Sequence, residues 1–204
     1  MTETPTEAVP RPPGPFMSAA LAYQRFADQV SEWGGKISQY VVLVTVLVGF
    51  LNVILRYLGK FIGQRLTNNG VIEAQWYLYS LIFLLGFGYV LKHQINVRVD
   101  FWFGHQPRRR KAWIDLIGHL ISLIPFCIIG LLVSFPQVAT SWRLNEQSPD
   151  PSGLPRAPIK TMIIVAFVLL LIQAIAEIVK LVAILRGHGD LVDMHEEEVP
   201  VRVE

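Results

Sequence analysis

Three groups of polar residues interrupt the long apolar stretches of this 204-residue chain, and each group is spaced to lie along one side of a helix. Asp115, His119 and Ser122 follow at intervals of four and three, as do Gln173, Glu177 and Lys180, and Asn52 stands four before Arg56. A carboxylate one helical turn from an imidazole has the parts of a proton relay, so Asp115 and His119 are the first candidates for chemistry. The competing reading makes Asp115, His119, Gln173 and Glu177 interhelical polar contacts, each contributing about 1 kcal/mol. All three groups fall near the ends of apolar stretches, where water and headgroups reach them. That position favours the second reading.

Other chemistries lack their parts. A membrane haem needs axial ligands at matching depth on facing helices, yet only His119 lies inside an apolar stretch; His93 and His105 flank one. The single cysteine, Cys127, excludes an internal disulfide or a thiolate metal cluster, and reads as a small buried hydrophobe. No Gly-rich phosphate loop, HExxH or GxSxG occurs. Neither catalysis nor a cofactor or metal site is expected.

The elements that carry these residues follow from where charge is missing. Only 17% of the residues are charged, against 52% hydrophobic. A soluble domain carries about 25% charged residues. Uncharged runs lie between Lys36 and Arg56, between Glu73 and Lys92 and from Leu116 to Trp142, and a fourth apolar run, Thr161 to Ile184, spans if Glu177 and Lys180 near its end are tolerated. Each is roughly 18 residues or longer, the length that crosses hydrocarbon as a helix. The expected fold is an all-α integral membrane protein with four transmembrane helices. Aromatic residues near the run ends (Trp33, Tyr40, Tyr57, Trp76, Tyr77, Trp113, Trp142) suit interfacial belts. Pro125 lies inside the third run and is expected to bend it.

Four regions are expected. Residues 1–15 are a proline-rich tail without the apolar core of a signal peptide, and 188–204 are an acidic tail. Residues 16–35 space Phe16, Ala20, Tyr23, Phe26, Val30 and Trp33 at near-helical intervals, which predicts an amphipathic helix lying on the cytoplasmic face. Residues 36–187 form the four-helix domain. Orientation follows from Lys and Arg: twelve fall on the tails and the segment between spans two and three, and six on the other two connections. The positive-inside rule then puts both termini in the cytoplasm. The basic run Pro107–Lys111 reads as a topology signal, not a nucleic-acid site.

The order of several short patterns is informative. EAQWYLYSLIFLLG over 73–86 precedes GYVLKHQINVRVDFW over 88–102, then RRKAWIDLIGHLISLIPFC over 109–127 and the loop SWRLNEQSPDPSGLPRAPIK before the last span. From span one to Arg186 the chain resembles the small membrane subunit, DctQ-like, of tripartite ATP-independent periplasmic (TRAP) transporters. Asn96 departs from the pattern, standing where many relatives have histidine.

The resemblance implies a non-catalytic subunit in a bacterial inner membrane. It would scaffold a large membrane subunit and help dock a periplasmic substrate-binding protein during sodium-coupled uptake of an organic acid. Implied partners are that large subunit, the binding protein and membrane lipid. Candidate partner-facing residues are Asn52, Arg56, Glu73, Trp76, Tyr77, Lys92, Arg98 and Asp100, with the loop 145–156 as a contact for the binding protein. The alternatives are a membrane anchor for a redox or other enzyme complex, with Asp115 and His119 reactive, and a small independent transporter.

Overall fold

A computed structural model describes residues 14–95 and 106–187; the two tails, and Arg98 and Asp100, lie outside them. The described residues are helical and contain no strand. Helix α1 spans Pro15–Ile62, α2 Asn69–Lys92, α3 Arg108–Gly118, α4 Ile124–Arg143 and α5 Ala157–Leu185. A π-helical turn, His119–Leu123, joins α3 to α4, so these two form one long span. Four helices are therefore long and apolar enough to cross a membrane.

The helix ends follow from local chemistry. Pro15 opens α1, where its fixed φ fits the first turn and no amide hydrogen is needed. Gly63 closes it with φ 73°, and the next amide, Gln64 N, returns to Gly59 O at 3.0 Å. Asn68 caps α2 by accepting from Val71 N at 3.1 Å. The π turn has a cause one residue beyond it. Pro125 has no amide to donate and its ring crowds the preceding turn. Ile124 N instead reaches back five residues to His119 O, and the helix widens by one residue there. The expected distortion at Pro125 thus takes the form of a π turn.

α5 is the hub, packing against α1, α2, α3 and α4, while α1 packs most extensively on α2. The packed surfaces are small or polar: Ala166, Ala174, Ala176 and Ala183 of α5, and Ser31, Gly34, Gly35 and Ser38 of α1. A Cβ on Gly34 would lie 2.7 Å from Leu85 O, so α1 and α2 meet backbone to backbone. The large apolar residues face outward, including Leu43, Phe50, Phe61, Leu132 and Phe135. Hydrocarbon gives no hydrophobic reward for burying leucine, so close approach and polar pairing hold such a bundle together.

Residues 16–35 refine the expected boundaries. They are helical, but they form the beginning of α1 without a break, and α1 is 48 residues long. The packed face is turned partly away from the apolar stripe, of which Ala20, Tyr23 and Val30 are half-buried. Phe16, Phe26 and Trp33 are exposed, whereas Met17, Leu21, Gln24, Ala27 and Ser31 are buried. Met17 and Leu21 pack on Ala183 of α5, while Glu32 meets the end of α2. The α1–α5 pair therefore runs about 22 Å past α2, at 1.5 Å per residue.

Candidate functional site

Polar side chains gather at the two ends of the bundle. At the end where α1 begins and α5 finishes, the α1–α5 interface holds a closed ring of hydrogen bonds. Gln173 Nε2 donates to Asp28 Oδ1 at 2.9 Å and to Glu177 Oε1 at 2.8 Å. Lys180 Nζ contacts the same two oxygens, at 3.0 and 2.8 Å. Ser31 Oγ donates to Gln173 Oε1 at 2.7 Å, Gln24 Nε2 to Asp28 Oδ2 at 2.9 Å, and Tyr23 OH to Ile172 O at 3.0 Å. Gln173, Glu177 and Lys180 are buried. Two carboxylates thus share one ammonium and one amide, and every participating group has a partner.

Beside this ring, Glu32 of α1 binds the end of α2. Its Oε1 accepts from Lys92 Nζ at 2.7 Å and lies 2.6 Å from His93 Nε2. Lys92 is therefore engaged within the chain.

At the opposite end, the loop 144–156 is folded down onto α2. Asn145, at φ 46°, ends α4 and lets Glu146 N donate to Ser141 O at 3.0 Å. Ser141 Oγ returns a hydrogen bond to Glu146 Oε2 at 2.7 Å, and Lys160 Nζ donates to the same oxygen. The Lys160 ammonium and the Ser141 hydroxyl hold the Glu146 carboxyl below the usual glutamate range against the opposing effect of desolvation. Glu73, buried in α2, accepts from Ser148 Oγ and from Leu154 N. Tyr77 OH donates to Pro155 O at 3.3 Å, and Trp142 Nε1 to Thr161 Oγ1 at 2.8 Å.

The remaining candidates divide. Asn52 Nδ2 donates to Gln75 Oε1 at 2.9 Å, while Arg56, one turn on, is exposed. The Trp76 ring stands edge-on to Tyr77, 4.5 Å between centroids, and is partly exposed. His119 Nδ1 lies 2.6 Å from the Asp115 backbone oxygen, a contact within one helix at the start of the π turn. Asp28, Ser31, Glu32 and Glu146 were absent from the sequence-derived candidates. A signal for α1 existed: Met17, Leu21, Gln24, Asp28, Ser31, Gly35 and Ser38 alternate at intervals of four and three. Small and polar residues hold that seam, so a search for apolar periodicity passes over it.

No group of three or more His, Cys, Asp or Glu positioned to hold a metal occurs among the described residues. Helices long enough to span a membrane, joined by small-residue seams and tied by polar clusters at both ends, define a multi-pass membrane protein. Within that class, residues 45–184 match the family model described as tripartite ATP-independent periplasmic transporters, DctQ component. The chain belongs to this family, whose members are the small membrane component of such transporters and not enzymes. Comparison with curated proteins gives no match, and comparison with solved structures gives none either.

Proposed function

We propose that this chain is the scaffold of its transporter: it widens the stationary part of a large membrane subunit, against which a substrate-carrying part moves during sodium-coupled uptake of an organic acid. The observation that carries this reading is the distribution of polar groups. Buried charge is used to lock α1 to α5 and the loop to α2, while exposed apolar side chains run the length of α1. A rigid wedge with an apolar flank suits a fixed partner. A subunit that bound or moved solute would need several polar groups converging on a cavity, whereas the groove between α2 and α5 is lined mainly by apolar residues.

The termini face the cytoplasm in this reading, from the lysine and arginine bias, and the loop 144–156 faces the periplasm, where it helps dock the substrate-binding protein. Arg56 is the partner-facing residue of choice, being exposed, whereas Glu73 and Lys92 already bind within the chain. The test is co-purification. A tagged chain extracted in mild detergent should bring down one large membrane protein in constant ratio, and a loop-deleted chain should bring it down without the binding protein. A chain that purifies alone and monodisperse removes the scaffold reading.

A further inference from the structure

Between α2 and α5, at the loop end, the surface is indented by a groove of roughly 480 Å³. Its walls are apolar, formed by Trp76, Tyr79, Phe83 and Leu84 on one side and Ile159 and Ile163 on the other. The hydroxyl of Ser80, also in the lining, is used locally, donating to Trp76 O at 2.8 Å. Lining residues recur every three or four positions on both helices, so the groove runs along the helix axes for about 10 Å.

The apolar lining ends at two cations, Arg156 and Lys160, which are not equivalent. Lys160 is paired with Glu146. Arg156 Nε is shielded from solvent and donates to no group among the described residues. Arg156 is half-buried and its charge acts on Glu73 and Glu146, but its Nε–H has no acceptor among the described residues and gains from a ligand oxygen. Arg156 is also the N-cap of α5, whose first turn holds no acidic side chain to balance the positive end of its dipole. An oxyanion at this position would meet both.

We propose that the groove holds an acyl chain of a phospholipid, with the lipid phosphate accepting from Arg156. The shape favours a lipid over an acidic side chain from a neighbouring protein. The groove is apolar and open to the bilayer side, begins beside the exposed Trp76 and Tyr79, and runs along the helices. One anion-recognising group stands at its mouth, at headgroup depth. Glu73 and Glu146 offset the charge of Arg156 and Lys160 at this end, so recognition rests on a local hydrogen bond to phosphate more than on net charge. Phosphatidylethanolamine and phosphatidylglycerol should therefore both bind, and diacylglycerol should not. This inference requires only that the chain spans a membrane and is independent of the scaffold reading.

The experiment uses the full chain in mild detergent, read by native mass spectrometry and by thermal unfolding after delipidation. The wild type should retain phospholipid, and added phosphatidylglycerol or phosphatidylethanolamine should raise its unfolding temperature. Dioleoylglycerol and inorganic phosphate should not. Arg156→Ala should lower retention by about tenfold, the loss of one charge-assisted contact. Ser80→Phe, which fills the groove and leaves Arg156 in place, should do the same and carries the test if Arg156→Ala fails to fold. Equal retention by a folded variant, or an equal effect of dioleoylglycerol, overturns the proposal. So does loss of the lipid when the large subunit binds, which would assign Arg156 to a protein carboxylate.

Discussion

Asp28 and Lys180, 152 positions apart, meet at 3.0 Å across the α1–α5 interface, and the same ammonium reaches Glu177 at 2.8 Å. Lys180 is 4% exposed, so its removal leaves the carboxylates of Asp28 and buried Glu177 with the Gln173 amide but without their shared cation. Breaking such a buried arrangement costs about 3 kcal/mol or more, most of it the penalty on the stranded charges. Lys180→Met should therefore destabilise the purified chain strongly in a detergent unfolding titration. Adding Asp28→Asn and Glu177→Gln to Lys180→Met removes the stranded charge and should recover most of the loss. A single variant as stable as wild type would mean that the ring does not hold α1 to α5.

The close approach of α1 and α2 makes a second contrast. A Cβ at Gly34 would lie 2.7 Å from Leu85 O, a backbone atom that cannot rotate away. At Gly118 nothing lies within 4 Å, and the backbone there is ordinary right-handed helix. Gly34→Ala should destabilise by about 1–3 kcal/mol as the helices are forced apart. Gly118→Ala should be neutral or stabilising by up to about 1 kcal/mol. Thermal unfolding of the two variants side by side checks both signs, and equal effects would contradict the backbone contact.

Much of this bundle was legible in the sequence, and the reasons are physical. Four apolar runs of spanning length, three uncharged and the fourth with only Glu177 and Lys180 near its end, must satisfy their backbone groups as helices in hydrocarbon, so span number followed directly. The inner faces were less legible. Apolar periodicity assumes that large residues point inward, and in a membrane bundle Phe26 and Trp33 point out while Ser31 and Gly35 point in. The same assumption set 16–35 apart as a surface helix ending at Gly34 and Gly35, yet α1 runs through both glycines, which are buried where α1 packs on α2. Glu73 and Ser148, 75 positions apart, could not be paired from spacing, because loop contacts depend on how the chain returns. The triad Gln173, Glu177 and Lys180 was visible as one helix face, but its partner Asp28 was not.

The π turn at His119–Leu123 holds one residue more than a regular helix would, and it keeps α3 and α4 in register with α5 on either side. Deleting a residue there should restore regular helix without rotating the flanks. Ile121 is exposed and expendable, and Pro125→Ala would supply the amide that regular geometry needs. The combined variant should fold with nearly native stability. Deleting Ile129 from α4 instead turns everything beyond it by about 100°, carrying Val138 and Ser141 off their buried face. Circular dichroism and thermal unfolding separate the two deletions, and equal damage would show that the extra residue is not housed in the turn.

The loop 144–156 should respond to acid through Glu146. Its carboxylate is held below the ordinary glutamate pKa by Lys160, then by Ser141, with the Arg156 charge adding to the effect. A group whose folded pKa is depressed stabilises the fold above its unfolded value, about 4.3 for glutamate. That contribution fades as pH falls through the lower folded value. Glu73 titrates against the same loop, so wild type alone would not isolate the effect. The informative quantity is the difference between wild type and Glu146→Gln, which keeps the shape and removes the charge. Thermal unfolding should show wild type ahead at neutral pH, with the gap constant down to about pH 5 and closing below about pH 4. Lys160→Met should remove most of the gap at neutral pH by taking away the principal partner. A gap that persists unchanged into acid would mean that the stabilisation at Glu146 comes from packing and not from its charge.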